Sequence, residues 1–437
     1  MLVRRPALLI IISSLTLILA SLGLLLALRL RTGPLVERLS RDARVFEQES
    51  FPRPSHVLPA TPGTVTQVLA PLRKDISEAY LLGPFYNSDE VDPCLSIITG
   101  REPVSPLPDE CAQALEKGQA LVRRVLEATR AELGGMPGML RKPRVGYMFF
   151  HPFQGLPSTM PVGTELLTLA RLAALETRLL VSRGQTAEAV DLCLDTLALG
   201  RDLAIGSGVQ ARNLSFQTQT LAYRPCAAAL AAASVERQRL TVEQLKRLSQ
   251  GWPSLADTVR RESVACQLYM YGGLLSPQQL DLLPPAAQAL ASNPAFGWDQ
   301  DLSSRMMARE MWRLTSEWFE AMKEAAAQPP ATLTKAFGDV DARFKSQKGL
   351  GVAPPAVAPY VSLVSQSELQ RLQLDALRVL VQVHLTRSLQ GHWPDDLPPP
   401  ASEQFTLRVN PEGHVILAPR DPSFADQTLD LGTKAEP

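Results

Sequence analysis

The sequence predicts a mainly α-helical protein with an N-terminal transmembrane helix, an irregular helical body and a small β-hairpin at the C-terminal end. Three observations predict this fold class. A long apolar run without charge lies near the N-terminus, and most of the remaining chain is rich in Ala, Leu, Arg and Glu. Aromatic residues make up only 6% of the 437 residues. This composition favours helices over a sheet protein.

The apolar run is the segment from Ala7 to Leu28, ALLIIISSLTLILASLGLLLAL. At 1.5 Å per residue, a helix of this length crosses a hydrocarbon core of about 30 Å. A secretory signal has a shorter apolar region and a cleavage site with small residues, whereas this run ends Leu-Arg-Leu-Arg. We therefore predict that residues 7–28 form an uncleaved, single-pass signal anchor, preceded by a short tail at 1–6.

The charges around this run point in two directions. Five arginines follow it closely, which by count favours a cytoplasmic body; they are Arg29, Arg31, Arg38, Arg41 and Arg44. A cytoplasmic body would require Arg4, Arg5 and the terminal amine to cross the membrane. First-helix tails of this kind usually stay inside, and long domains cross largely regardless of charge. We predict a body outside the cytoplasm, with a cytoplasmic body as the alternative.

The cysteines bear on the same question. Cys94 and Cys111 bracket a polar, Pro-rich stretch that a disulfide would close with useful stabilisation, and reduced thiols are the alternative. Cys193, Cys226 and Cys266 lie in apolar helical patterns, where we expect reduced, buried cysteines. No C-x-x-C motif occurs. Neither a zinc ribbon nor a thioredoxin-type pair is therefore predicted.

Charge and motifs exclude several function classes. The 44 Lys and Arg balance the 44 Asp and Glu, and no basic stripe is present, so we predict no nucleic-acid partner. H-E-x-x-H, G-x-S-x-G, P-loop and dinucleotide motifs are missing from the sequence, so we assign no catalytic, cofactor-binding or metal-ligating residues. A zinc site from His384, His392 and His414 with Asp395 and Asp396 is the weaker alternative to polar surface residues.

The first part of the body is the least regular. Residues 29–63 contain several prolines and little periodicity, which predicts a stalk or linker after a short charged helix. Residues 64–160 predict helices separated by loops, with a long helix from Asp109 to Leu133. The aromatic-rich segment from Arg144 to Gly155 is expected to plug the end of a helical layer, and a role in lining a ligand cleft is the alternative.

Residues 161–272 hold the clearest helical hairpin. The tight turn Arg-Gly-Gln at 183–185 joins two helices and makes them antiparallel neighbours. The pattern G-x4-A-V-x2-C, beginning at Gly184, resembles the second half of a tetratricopeptide repeat (TPR). In that repeat the glycine ends the first helix, and the small alanine, here Ala189, lets the second helix approach closely. We therefore expect Gly184 and Ala189 to pack this turn.

The resemblance to the repeat is partial. Ala173 occupies the place of an aromatic residue, and Glu176 replaces an apolar one. No clean second copy follows about 34 residues later. We expect one TPR-like hairpin within an irregular, α-solenoid-like body.

The C-terminal part predicts helices followed by strands. Residues 273–300 form a Pro-rich connection, and residues 301–390 contain two long helices, at 304–328 and about 360–389, with a Gly/Pro-rich break at 349–359 between them. In the tail, 391–437, the alternation of Phe405, Leu407 and Val409 and a following Asn-Pro-Glu-Gly turn predict a β-hairpin. Since an isolated hairpin is marginal in water, we expect it to fold back on the last helix.

The junction between helix and hairpin carries a further resemblance. A long helix followed by a Gly-x-Trp-Pro segment, here Gly391, Trp393 and Pro394, is similar to type II secretion pseudopilins and type IV pilins. The chain departs from pilins, because its apolar run does not continue directly into the long helix and no processing site with an early Glu is present. The layout over about 164–423 more closely resembles uncharacterised, membrane-anchored bacterial envelope proteins. This resemblance implies a bacterial inner-membrane protein with a periplasmic domain, and no biochemical role.

We predict a membrane-anchored, non-enzymatic binding or scaffold module of the bacterial cell envelope, without a cofactor. Its partners would be the membrane, through residues 7–28, and another envelope protein, because stacked helices commonly create binding surfaces. One alternative is an accessory component of a secretion or pilus-like system. Another is an envelope hydrolase centred on His151 or on His392 and Asp395.

Overall fold

The computed structural model describes residues 4–43, 93–130, 161–204, 208–249, 252, 254–283, 287–288, 291, 302–345 and 358–434. In the first helix, side chains are described at 12–27 and 33–43. The prediction of a mainly helical chain is confirmed, and the C-terminal strands form a small antiparallel sheet. Within these ranges, no helix combines the length and the apolar character needed to cross a membrane.

The helices and strands follow one another in a simple order. The helices are α1 (Arg4–Asp42), α2 (Pro93–Ile98), α3 (Asp109–Arg130), α4 (Pro161–Ser182), α5 (Thr186–Ala204), α6 (Val209–Ala231), α7 (Val235–Ser249), α8 (Leu255–Tyr271), α9 (Pro277–Asp281), α10 (Leu302–Ala326), α11 (Pro330–Lys345), α12 (Ala358–Gln390) and α13 (Ala401–Gln404). The strands are β1 (Phe405–Val409), β2 (His414–Pro419) and β3 (Leu429–Lys434). Short 3-10 helices span Gly272–Leu274 and Pro422–Gln427.

Helix α1 joins the apolar run to the body without a break. Its last turns place Leu35, Val36 and Leu39 in a core with residues of α8 and α10. The predicted stalk is therefore wrong for residues 33–43, because burying these apolar side chains makes the segment part of the body. Residues 44–63 lie outside the described ranges.

The turn between α4 and α5 has the geometry that its sequence predicts. Gly184 adopts a φ of +75°, and its N–H donates to the carbonyl oxygen of Val181 at 3.0 Å. The N–H of Gln185 donates to the carbonyl oxygen of Leu180 at 2.9 Å. These two hydrogen bonds define a Schellman motif, which favours glycine at its left-handed position. Ala189 is fully buried where α5 packs against its neighbours.

The departure from the repeat pattern at Glu176 has a structural reason. Its Oε1 accepts a hydrogen bond from Gln119 Nε2 at 2.7 Å and forms an ion pair with Arg123 Nη2 at 2.6 Å. Both partners come from α3, which packs against α4. The buried carboxylate thus joins α3 to α4 at a position where the repeat pattern has an apolar side chain.

Two disulfides cross-link the body. Cys94 Sγ and Cys111 Sγ lie 2.02 Å apart and join α2 to α3. A second disulfide joins Cys193 of α5 to Cys226 of α6. The expectation of reduced thiols at these two positions is wrong, because the packing of α5 against α6 brings their Cα atoms within 5.2 Å. Cys266 is a free, buried cysteine, as expected.

Other predicted regions are only partly described. The connection at 273–300 contains the short helix α9, and its Leu275 and Leu283 are buried in the same core as α1. At these residues the connection is therefore part of the folded body and not only a linker. In the region 64–160, α2 and α3 are described. The aromatic segment from Arg144 to Gly155, with His151, lies outside the described residues.

The tail contains three strands where a hairpin was predicted. The strands form an antiparallel sheet in the order β1-β2-β3, with Phe405 opposite Pro419 and Val409 opposite Val415. The third strand is present because Leu429 and Leu431 are buried in the main core of the body. The predicted hairpin thus forms the first two strands of a three-stranded sheet that covers this core.

Buried amides attach this sheet to the helices. Gln373 Nε2 of α12 donates to Gln427 Oε1 at 2.8 Å, and Tyr223 Oη of α6 donates to the Gln427 carbonyl oxygen at 2.9 Å. Gln219 of α6 donates in turn to the Gln370 carbonyl oxygen of α12 at 2.7 Å. Since buried polar groups are costly when unpaired, these bonds specify how the tail docks.

Candidate binding cleft in the C-terminal tail

A cleft of about 390 Å³ lies between the C-terminal end of α12 and the sheet. One side comes from the strands and the other from the segment that follows α12. On the strand side the lining includes Leu407, Val409 and Val415. On the side that follows α12 it includes Gly391, Trp393 and Pro394. The cleft therefore combines an apolar surface with an aromatic ring.

The chain reversal after α12 positions Trp393. Gly391 has a φ of +83°, and its N–H donates to the Arg387 carbonyl oxygen at 2.7 Å. This left-handed glycine ends the helix and turns the chain back along it. The Trp393 ring then lies edge-to-face with His384, 5.1 Å between centroids, and 4.5 Å from Arg387 Cζ. These two contacts hold the ring in place.

The electrostatic character of the cleft is mixed but mainly positive. Arg387 and Arg408 contribute guanidinium groups, and Asp395 contributes a carboxylate. Two buried ring nitrogens, Trp393 Nε1 and His384 Nε2, have no hydrogen-bond partner among the described residues. A buried polar atom without a partner is costly, and neither of these two nitrogens is exposed to the cleft in this structure.

Burial also makes His384 sensitive to pH. Desolvation, and then the nearby charge of Arg387, lowers the pKa of His384 to about 4. Between pH 6.5 and 4, the unfolded chain binds a proton at this residue that the folded protein does not bind. The free energy of unfolding should therefore fall by about 3 kcal/mol as the pH falls through this window. Chemical denaturation at pH 8, 6, 5 and 4 measures this dependence.

The matched variant is His384→Phe, which keeps an aromatic ring against Trp393 but cannot take up a proton. All other titrating groups are shared, so the difference between the two proteins isolates His384. We expect the stability of the variant to decline less between pH 7 and pH 4. Parallel curves for the two proteins would show that His384 is not the group responsible.

The residues predicted from the tail motif all belong to this cleft. Gly391, Trp393 and Pro394 line it together. Their shared position follows from the reversal of the chain at Gly391, which brings the segment over the strands. The tail motif therefore contributes one side of the candidate site.

The other predicted residues lie elsewhere. Cys94 and Cys111 are buried in a small core formed with α4, and Gly184 and Ala189 form the α4–α5 turn. None of these four lines the cleft. They hold helices together and supply no group to the candidate site.

The histidines of the alternative zinc site have different partners. His414 Nδ1 lies 2.9 Å from Asp430 Oδ2, and His392 Nδ1 lies 2.9 Å from the Trp393 carbonyl oxygen. His384 is buried beside Trp393. Across the ranges that the structure describes, no group of three or more His, Cys, Asp and Glu side chains is placed to hold a metal ion.

Sequence reasoning missed several residues of the cleft. Arg387 belongs to α12, whereas Leu407 and Val409 belong to β1, and only the folded chain brings them together. The alternating pattern that predicted the strand also predicts that Leu407 and Val409 share a face. Arg387 lies one helical turn before Gly391, a spacing that places the two residues on the same side of the helix end.

Comparison of the chain with models of protein families, with curated protein sequences and with solved structures found no match.

Proposed function

We propose that this protein is a membrane-tethered binding module of the bacterial cell envelope, which offers the tail cleft to another envelope protein. The observation that carries the proposal is the continuity of α1. One half of this helix is apolar and exposed, and the other half belongs to the core of the body. The helix thereby joins the body to a segment that water solvates poorly.

The exposure of α1 supports insertion into lipid. Its side chains at 12–26 are exposed, and the large apolar ones among them range from 49% at Leu24 to 73% at Leu17. Because successive residues are rotated by about 100° around a helix, such a run exposes apolar surface on every side. Large exposed apolar patches mark contact with a membrane or a partner. In sequence the uncharged run is longer, from Ala7 to Leu28.

The polar side chains within this run are compatible with a lipid environment. Thr16 Oγ1 donates to the Ile12 carbonyl oxygen at 2.7 Å, and Ser21 Oγ donates to the Leu17 carbonyl oxygen at 2.8 Å. Hydroxyls that bond back to their own helix need no water. A membrane helix tolerates them for this reason.

The disulfides support a body outside the cytoplasm. Stable disulfides occur mainly in oxidising compartments such as the periplasm, and they are rare in the cytosol. Two cross-links within one body, one of them between buried helices α5 and α6, favour export. The same inference favours the orientation in which Arg4 and Arg5 remain inside.

The secretion or pilus-like system is the second candidate. The observation that favours it is the position of Gly391, Trp393 and Pro394 in the cleft, because the resemblance to pilins and pseudopilins rests on this segment. An accessory component would use the same surface to contact its machine. In the hydrolase alternative His392 and Asp395 would act together, and both residues line the cleft.

Photo-crosslinking in intact cells tests the proposed function. A photoreactive phenylalanine analogue replaces Val409 in the cleft, and in a separate variant it replaces Leu240, which is also exposed but lies outside the cleft. We expect a discrete crosslinked product at position 409 that sediments with membranes. We expect no such product at position 240.

Anchor variants complete this test. Replacing Ile18 and Leu22 by Arg places two charges in the apolar run, each costing about 3 kcal/mol in a membrane centre. This change should release the protein from membranes and abolish the product, whereas Ile18→Ala with Leu22→Ala should change neither. Release of the unaltered protein by alkaline carbonate, or products at both positions alike, would contradict the proposal.

A further inference from the structure

Strand β1 forms one edge of the three-stranded sheet that the structure describes. In the described sheet it pairs only with β2. The backbone N–H of Asn410 donates to the His414 carbonyl oxygen at 2.9 Å, and the backbone N–H of Arg420 donates to the Gln404 carbonyl oxygen at 2.8 Å. The even-numbered residues of β1 therefore form its backbone hydrogen bonds with β2. Because this pattern alternates, the backbone N–H and C=O groups of Leu407 and Val409 point away from β2.

The open edge adjoins the cleft. Val409 is 54% exposed, and both Val409 and Leu407 line the cleft with Trp393. A strand added beside β1 would turn every second side chain towards this apolar surface. The half-buried ring of Trp393 lies on this surface and offers an apolar contact to a side chain of such a strand. The edge supplies main-chain bonds, and the cleft supplies selectivity for side chains.

The charges of the cleft define the chemistry of the added strand. Arg408 is exposed and forms no ion pair in the described part of the chain. Arg387 adds a second positive charge on the face of Trp393. Asp395 is the single carboxylate among the residues that line the cleft. Complementary charge favours a partner with carboxylates near the strand and disfavours a basic one.

We propose that an extended, acidic segment of a partner protein binds the cleft as a fourth strand beside β1. Its backbone hydrogen-bonds to Leu407 and Val409, an apolar side chain contacts Trp393, and a carboxylate lies near Arg408. Strand addition of this kind combines main-chain hydrogen bonds with side-chain pockets. The inference rests on the proposed function, in which the cleft is the contact site.

A designed peptide tests this inference with the purified full-length protein in a mild detergent. The probe is a fluorescein-labelled, acetylated and amidated peptide that alternates Glu and Val. Its controls are the same peptide with Lys for Glu, and the Glu peptide with N-methylated valines. By fluorescence anisotropy we expect saturable binding of the acidic probe, and binding about tenfold weaker or more for both controls.

Variants of β1 locate the binding site. Val409→Pro removes an N–H that points away from β2, so the ladder of the hairpin keeps its bonds. It should weaken binding of the acidic probe about tenfold, whereas Val409→Thr, which keeps the N–H, should bind as the unaltered protein does. Arg408→Glu should weaken the acidic probe and strengthen the Lys peptide. The N-methylated control tests the same hydrogen bonds if the proline variant does not fold.

The outcomes separate this inference from the proposed function. Equal affinity for the acidic and N-methylated peptides would exclude strand addition, and equal affinity for the acidic and basic peptides would exclude the charge preference. No saturable binding of any peptide would also overturn the inference. The crosslink at position 409 in cells would still stand in these cases, because it does not depend on the backbone geometry of the partner.

Discussion

Removing the disulfide between Cys193 and Cys226 is expected to lower the free energy of unfolding by about 4 kcal/mol. The bond spans 33 residues, and closing a loop of this length restricts the unfolded chain by about that amount. It also joins α5 to α6 within the main core, so its loss affects the centre of the body. Guanidinium unfolding of the double variant Cys193→Ala with Cys226→Ala, followed by circular dichroism, measures the change.

Two controls assign this loss to the covalent bond. Cys266→Ala removes a buried thiol that forms no disulfide, and we expect it to cost much less. A reducing agent should destabilise the unaltered protein more than the double variant, which retains only the Cys94–Cys111 disulfide, with a separation of 17 residues. Identical stability of the unaltered protein and the double variant under oxidising conditions would show that the bond does not form.

Replacing Arg123 by Met is expected to destabilise the protein by about 3 kcal/mol. The Glu176 side chain is only 2% exposed, and Arg123 is the cation paired with it. Arg123 itself is 41% exposed, but removing it leaves the buried Glu176 carboxylate without a compensating charge, which costs more than the pair itself contributes. Gln119 would remain as a hydrogen-bond donor to the carboxylate, but it carries no charge. The same unfolding experiment measures the effect.

A double variant distinguishes the buried charge from general disruption. Arg123→Met combined with Glu176→Leu removes both charges and restores an apolar residue where the TPR pattern has one. Its stability should return close to that of the unaltered protein. Glu188→Gln removes the other, exposed partner of Arg123. This change should cost less than about 1 kcal/mol, which is typical of surface ion pairs. A double variant no more stable than Arg123→Met alone would contradict this interpretation.

Local patterns predicted much of the described fold. The turn at Gly184, the helices on either side and the strands β1 and β2 depend on residues close together in sequence. Helical spacing, a glycine at a left-handed position and strict alternation each restrict the backbone directly. The type and approximate bounds of these elements can therefore be predicted from short stretches of sequence, although their stability depends on packing against the rest of the chain.

Contacts between distant residues were harder to predict. Nothing near Cys193 indicates Cys226 as its partner, and nothing near Glu176 indicates Arg123. The end of α1 reads as a linker because its apolar residues, among them Leu39, are few and follow an arginine-rich stretch. Only its contact with α8 and α10 shows that it belongs to the core.

The candidate cleft was predicted in part for the same reason. Gly391 and Trp393 were singled out by the resemblance of this segment to the Gly-x-Trp-Pro segment of pilins and pseudopilins. The apolar residues of β1 and the arginine of α12 were not connected with them. Their association depends on how the buried amide of Gln427 and the third strand dock the tail onto the helices.

By itself, the sequence determined that this protein is mainly helical, that a glycine turn joins α4 to α5 and that strands follow α12, because short-range periodicity and backbone sterics decide those features. The tertiary structure alone decided which cysteines pair, which cation compensates Glu176 and where the cleft forms beside an open strand edge. Each of these depends on the docking of segments far apart in the chain, and the free energy of that docking is a property of the whole core.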